Sequence, residues 1–552
     1  MASILSVRDF GAVGDGQTLD TDAINRAIAA AEPGSMVRLP PGTYLSYSIR
    51  LRSNLTLHLD RGATLLAAGS PPPPHEQILA MLTAGGILPG GGRGDSGSFY
   101  AGDTFGLDEP LPTAAKDLST PPPAKSAGLK FDLPAKVPGA PDYDPPEHNP
   151  HDKYQDHGHS HWHNSLIWGE KLENVALTGE GTIDGRGLTW NADPEHPTGN
   201  KAIALKSCRN VRLTDFTIFR GGHFAVLATG CDGVTIANVR IDTNRDGLDI
   251  DSCRSVYITD CEINSPNDDA IVLKSSYALG AARATEDVTI RHCHVSGFDM
   301  GTLIDGTRRM TQKIAPDRGG VTGCIKFGTE SNGGFRKIVI SDCSFTHCRG
   351  LALETVDGGP MEDITIANLV MRDLTSAPLF IRLGNRARGP AGGSVSVVRR
   401  VSISHVEVTD AEPRFASLLV GIPGHPIEQV QLADIRISYR GGGGLMDARA
   451  EPPEKEGAYP EPNMFGVIPA YGLFCRHVRG LSVRDVTLAY QKLDKRPPVV
   501  LEDVQGAAFE KFHARRHDQA AGFVMRAVSD IRLEEAGTAK NLHIASLERG
   551  GF

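Results

Sequence analysis

The sequence predicts an all-β fold, a right-handed parallel β-helix in which short strands stack coil upon coil, with long inserted loops and a short N-terminal capping helix. The first observation is a recurring phrase. NVRLTDFTI at 210–218, GVTIANVRI at 233–241, SVYITDCEI at 255–263, DVTIRHCHV at 287–295 and KIVISDCSF at 337–345 are followed by DITIANLVM at 363–371, RVSISHVEV at 400–408, QVQLADIRI at 429–437 and GLSVRDVTL at 480–488. In each, apolar and polar residues alternate with the period of a strand, and a polar pair at mid-phrase marks a bend where Asn or Asp accepts bonds from its own backbone. The second observation is composition: 62 glycines and only 6% aromatic residues suit tight turns between many short strands. The third is that neither the helical spacing of ankyrin arrays nor the consensus of leucine-rich repeats occurs. A chain of 552 residues would ordinarily divide into roughly three or four domains. A solenoid instead buries each coil against its neighbours, so one domain over 1–552 is expected.

Taken in order, TDAINRAIAAA at 21–31 has helical spacing behind an N-cap residue and suits a helix covering the first coil. The phrases are 22 residues apart in places and about twice that elsewhere, which implies inserted loops. Three are expected. The first, about 70–165, contains PPPP at 71–74, GGGR at 90–93 and PPP at 121–123; the second, 297–322, carries Arg308, Arg309, Lys313 and Arg318; the third, 441–466, opens on GGGG. Inserts in such arrays gather on one face, often the binding face, and long walls around a cleft favour a pocket and exo action.

Charge and apolar runs exclude several partners. With 66 acidic against 57 basic residues and no basic tract, neither nucleic acid nor an anionic membrane is an expected partner. No apolar run approaches the ~20 residues of a membrane span. The N-terminus shows no basic segment followed by an apolar core, so any secretion signal is expected to have been removed, and function points to a periplasmic or extracellular site with the cytoplasm still open. The nine cysteines include no CxxC pair, and Cys261, Cys293 and Cys343 sit inside strand patterns as small buried hydrophobes.

The segments NRDGLDID at 244–251 and NDDAIVLKS at 267–275 carry the chemistry. Asp246 lies 22 residues before Asp268 and 23 before Asp269, the local repeat length, so the three carboxylates stack on adjacent coils. Held that close they cannot ionise independently, and at least one acquires a raised pKa. One protonated acid beside one ionised base is what cleavage of an acetal needs. Asn and Asp favour bends in any solenoid, so a lone Asp-Gly would carry no function. Here the pair runs into the strand AIVL, and Lys274 follows where it would reach a hydroxylated or anionic ligand.

These segments also carry a resemblance. The chain resembles glycoside hydrolase family 28, the polygalacturonases and rhamnogalacturonases, over nearly its whole length. FGAVGDGQTLDTDAI at 10–24 is similar to the family's N-terminal capping segment and LTGEGTIDGRG at 177–187 to the coil before its active site; NRDG at 244–247 and DDAIVLKS at 268–275 match its Asn-Thr-Asp-Gly and Asp-Asp-x-Ile-x-x-Lys-Ser motifs. The resemblance implies that Asp268 is the general acid and that Asp246 and Asp269 activate water on the opposite face, giving inversion without cofactor or metal. Two motifs depart. Aligned through Gly328-Thr329-Glu330, the family's Gly-His-Gly falls on Thr322-Gly323-Cys324, and its Arg-Ile-Lys falls on Ala352-Leu353-Glu354. The resemblance gives those basic groups to the galacturonate carboxylate, so their loss, with Glu354 as a repelling acid, moves the expected specificity to a neutral sugar.

The tract 148–163, HNPHDKYQDHGHSHWH, holds six of the 19 histidines. No zinc-ligand spacing occurs in it, and a sugar-binding loop with Trp162 and Trp168 as stacking platforms is expected. The expected substrate-binding residues are Asn244, Lys274, Lys326, Glu330, Glu354, His163 and Trp162, with an oligo- or polysaccharide as partner. Two rival readings remain open: a β-helix lyase or epimerase with calcium at the carboxylates, and a non-catalytic carbohydrate-binding β-helix.

Overall fold

The computed structural model describes residues 3–69, 142–188, 199–315, 319–537 and 541–551. Most of the first expected insert, 70–141 with its Pro- and Gly-rich runs, and Arg318 of the second lie outside them. The 34 strands of the described residues belong to one continuous sheet coiled into a right-handed parallel β-helix. The recurring phrase fixes the register. Its first apolar residue forms one stack through all nine coils: Val211, Val234, Val256, Val288, Ile338, Ile364, Val401, Val430 and Leu481. The mid-phrase bends turn through the left-handed backbone region, with φ of 76° at Asp215, 54° at Asn238, 56° at Asp260 and 57° at Asp342. Short polar side chains tolerate that region best, which is why they recur there.

The core is a column of inward Val, Ile and Leu, with Cys208, Cys231 and Cys253 stacked in it; all nine cysteines are buried and unpaired. The capping helix spans Thr21–Ala30 and buries Ala23, Ile24, Ala27 and Ile28 over the first coils. Asp20 does not cap it through its side chain; that carboxylate accepts from Val13 N and Gly14 N instead. No described helix is long and apolar enough to cross a membrane. At the far end Leu542–Gly551 pairs antiparallel with Phe523–Glu534.

One face of the coil positions the site. Its strands include Lys201–Lys206, Phe224–Thr229, Asp246–Asp251, Ile271–Ser275, Ile325–Ser331, Leu351–Thr355 and Leu379–Leu383. One row of residues points outward through them: Ala204, Leu227, Asp249, Val272, Lys326, Ala352, Phe380, Leu418, Phe474 and Val500. Only its centre is polar. Towards the N-terminus Trp162 and Phe224 pack with Ala204 and Leu227. Towards the C-terminus Phe465, Ile468 and Ala470, at the end of the third insert, pack with Phe380, Leu418 and Phe474. Between these two clusters stand Asp249, Val272 and Lys326, themselves buried.

Candidate active site

The aspartates meet because two of them sit in a turn. Asp246 opens the strand Asp246–Asp251, and Asp268 and Asp269 precede Ile271–Ser275. Strand alternation would send adjacent side chains to opposite faces; outside the strand both turn toward Asp246. Asp269 N donates to Asp246 Oδ1 and to Asp268 Oδ1, each at 3.1 Å. Gly247 N donates to Asp269 O at 3.0 Å. A Cβ at Gly247 would come within 2.4 Å of Ala270 O, which explains the Asp-Gly pair. From the next coil Thr322 Oγ1 and Gly323 N both donate to Asp268 O, at 2.7 Å. One carboxylate oxygen from each aspartate lies within 4.8 Å of the other two.

Burial sets the electrostatics. Asp246 is held well above the usual carboxylate range, first by burial and next by Asp268. Asp249, directed outward two residues before Asp251, is fully buried; burial pushes it up to about 8, and neither of its oxygens is hydrogen-bonded. Lys274 compensates them: its Nζ lies 3.4 Å from Asp249, 3.4 Å from Glu330 and 3.8 Å from Asp246. It also donates to His159 Nε2 at 2.7 Å. Burial opposes the ammonium, but these acids hold Lys274 well above its ordinary range. Burial and Lys274 keep His159 well below the usual imidazole range and neutral. Lys274 is thus enclosed among protein groups, not extended toward a ligand as the sequence suggested. Glu330 is equally enclosed, bonded by Arg388 and kept well below the usual range by Lys274 and Arg388 against its burial.

The structure gives the two departing motifs a physical reading. Gly323 has φ +84°, and a Cβ there would stand 2.2 Å from Ser296 O, so no histidine fits that backbone. Ala352 belongs to the covered apolar row. Glu354 is buried and pushed up to about 8 by burial, with its Oε2 3.7 Å from Lys326 Nζ. The expected repulsion by Glu354 is therefore muted, because an adjacent coil supplies a cation. Arg245 Nη2 lies 2.8 Å from Asp268 Oδ2, and Lys326 Nζ lies 3.4 Å from Asp269 Oδ2. Asn244 is exposed at the rim, bonded by Asn267.

Two expected contacts are not in the cleft. Trp162 is fully buried, donates Nε1–H to Thr229 Oγ1 at 3.0 Å and has Lys206 over its ring, so it packs the flank and offers no stacking face. His163 stacks on Trp168 and pairs with Glu170 at 3.0 Å. Glu170 lies three strands before Asp246–Asp251, about 14 Å at the ~4.8 Å strand spacing. Sequence reasoning missed Asp249, His159, Arg245 and a further loop, 384–396, whose Arg386 pairs with Asp357 at 2.5 Å and Arg388 with Asp156 at 2.9 Å. The alternation in GLDID, which directs Leu248 and Ile250 inward, was signal enough for Asp249.

Among the described residues, two clusters have the geometry to approach a metal: the aspartate trio, and Glu147 with His163 and Glu170. In both, lysine or arginine already provides the countercharge, through Arg245, Lys326 and Lys274 at the first and Lys171 and Lys206 at the second. That arrangement suits carboxylates working without a divalent cation.

The sequence profile of glycosyl hydrolases family 28 matches residues 151–297, which include all three aspartates. A profile described as rhamnogalacturonase A/epimerase, pectate lyase-like, matches residues 4–63. A probable polygalacturonase of Vitis vinifera is 24% identical over 457 residues, 78% of this chain and 74% of its own length. An exo-poly-alpha-D-galacturonosidase of Dickeya chrysanthemi is 26% identical over 274 residues, 50% of this chain and 34% of its own. The family 28 exopolygalacturonase of Yersinia enterocolitica has a TM-score of 0.59 at 16% identity, covering 94% of this chain and 79% of that one. An exopolygalacturonase from Thermotoga maritima gives 0.51 at 17% identity, covering 100% and 95%.

Replacing Asp268 by Asn removes a transferable proton and almost no volume. Turnover should fall about 10²–10⁴-fold with an unchanged circular dichroism spectrum; activity within a few-fold of wild type would remove Asp268 from the reaction. Glu354 supplies a test in pH. Its folded pKa is raised, so its stabilising contribution is present below the unfolded value and is lost as pH rises toward about 8. Glu354→Gln should therefore gain thermal stability relative to wild type between about pH 5 and about pH 8, as read by the melting temperature of each protein across that range. A constant difference would contradict the burial argument.

Proposed function

We propose that the chain is a divergent member of glycosyl hydrolases family 28 and a glycosidase of pectin breakdown, and that it releases a neutral sugar from the end of a pectic or related oligosaccharide by a single inverting displacement. One observation carries the choice of sugar: the cations of the cleft are already paired with carboxylates of the chain. Arg245 faces Asp268, Lys326 faces Asp269 and Glu354, and Lys274 faces Asp249 and Glu330. Arg349 faces Glu461, and Arg386 faces Asp357. A uronate carboxylate entering the cleft would have to displace one of these pairs, whereas a neutral sugar meets hydroxyl-compatible acceptors and no charge penalty.

The covered flanks support exo action. A polysaccharide lying along the outer row would run into the Trp162 cluster on one side and Phe465, Ile468 and Ala470 on the other. Only a chain end fits between them. Asp268, at 8% the most exposed of the trio against 4% for Asp269 and 3% for Asp246, is the group that reaches the glycosidic oxygen. Coupled carboxylates titrate together, so the proton held at Asp246 belongs to the trio and is shared with Asp268. Asp268 protonates the leaving oxygen as the C–O bond breaks; water adds to the anomeric carbon and passes its proton to Asp246 or Asp269. Action on a polymeric substrate carries with it a periplasmic or extracellular place of work.

Purified protein incubated with unsubstituted polygalacturonate and, separately, with neutral pectic side-chain oligosaccharides should yield a single neutral monosaccharide from the second set and little product from the first, by chromatography of the products. Rapid release of galacturonate from polygalacturonate, or fragments from mid-chain cuts, would overturn the reading.

A further inference from the structure

Lys326 occupies an outward position in a row whose neighbours are otherwise mostly apolar. The alternation Ile325-Lys326-Phe327 directs it away from the core, and its small ladder neighbour Ala352 leaves room for the side chain. It is 2% exposed. Its Nζ lies 3.4 Å from Asp269 Oδ2 and 3.7 Å from Glu354 Oε2, donates to Tyr459 Oη at 3.5 Å, and stands 5.5 Å from the centre of that ring. Glu461 adds to the same field. The other oxygen of Asp269 accepts only from Cys324 Sγ at 3.3 Å, a weak donor. Glu354 Oε2 makes no hydrogen bond, and burial pushes Glu354 up to about 8.

The two candidate bases thus differ in their cations. Asp246 shares Lys274, at 3.8 Å, with Asp249 and Glu330. Asp269 shares Lys326, at the shorter distance, with Glu354 and with the field of Glu461.

Resting on the acid–base reading above, we propose that Lys326 is a positioning residue for the catalytic base: through its 3.4 Å pair it holds Asp269 oriented toward the attacking water, it lies beside Glu354, and it makes no contact with the sugar. Asp269 then accepts the proton of the water whose oxygen bonds to the anomeric carbon, Asp268 gives its proton to the departing oxygen, and Asp246 serves the trio's proton balance. A lysine that bound the sugar would act mainly on substrate affinity; one that holds the base acts on the chemical step.

Lys326→Met alone would leave two buried acids facing each other, so the informative variant is Lys326→Met with Glu354→Gln, alongside Lys326→Gln, which keeps a donor toward Asp269 without the charge. The probe is a set of acid-trimmed pectin oligosaccharides followed by reducing-end release. In whichever of the two variants melts near wild type, kcat should fall by about 10² or more, with apparent KM within about threefold. A raised KM with unchanged kcat would make Lys326 a sugar-binding residue, and a wild-type kcat would remove it from the reaction. Asp268→Asn in the same assay separates the two levels. If it is inactive while the Lys326 variants keep wild-type kcat, only this proposal fails; if it stays active, the acid–base reading fails.

Discussion

Two buried lysines make the cleft possible. A carboxylate taken out of water is expensive unless it is protonated, paired or hydrogen-bonded, and this site concentrates Asp246, Asp249, Asp268, Asp269, Glu330 and Glu354 on adjacent strands of one sheet face. Lys274 and Lys326, each on the strand beside the acids it serves, hold those charges together. The remaining mismatch is absorbed by protonation, visible as the upward displacement of Asp246, Asp249 and Glu354. Such a group has proton-holding and ionised members side by side, which acid–base cleavage of an acetal requires.

The solenoid supplies this arrangement at little structural expense. Parallel stacking places residues from successive coils at one strand spacing, so a 22-residue period turns sequence neighbours at that interval into contacts. The same stacking makes the outer row a continuous strip, and the chain covers that strip wherever it is not needed. Arg382 illustrates the method: buried beneath the third insert, it donates to the carbonyls of Gly421, Glu454 and Lys455 and so ties the covering loop to the sheet. The lost basic motif belongs to the same economy. Lys326 stands one coil before Ala352, and its Nζ lies 3.7 Å from Glu354 Oε2.

The stacks and bends were legible because they obey local rules: alternation for strands facing core and solvent, and Asn or Asp at left-handed bends such as Asn238 and Asp260. The strands that flank the site lacked that signal. KAIALK at 201–206 and FAVLAT at 224–229 are buried on both faces, and strands of that kind read as apolar runs without alternation. The aspartate trio could be read from spacing alone. Trp162 could not, because an aromatic residue in a polar tract gives no sign of which way it faces, and here it packs inward beneath Lys206. Arg386, Arg388 and Tyr459 arrive from loops distant in sequence, and no local pattern places them. Gly323 is the reverse case: the missing histidine was visible, but its cause, the approach of Ser296 O, exists only in three dimensions.

One carboxylate oxygen from each of the three aspartates lies within 4.8 Å of the other two, whereas the carboxyl groups of a single-displacement pair usually stand ~6.5–9.5 Å apart. The account therefore requires water to enter beside Asp269, on the far side of the sugar from Asp268, and not through a wide gap between two acids. Proton magnetic resonance of the reaction mixture during the first turnovers, before the product mutarotates, tests that claim most directly. The account predicts a released sugar whose anomeric configuration is opposite to that of the bond cleaved. A first-formed anomer with the substrate's own configuration would mean a covalent glycosyl-enzyme on one of these aspartates and would contradict it.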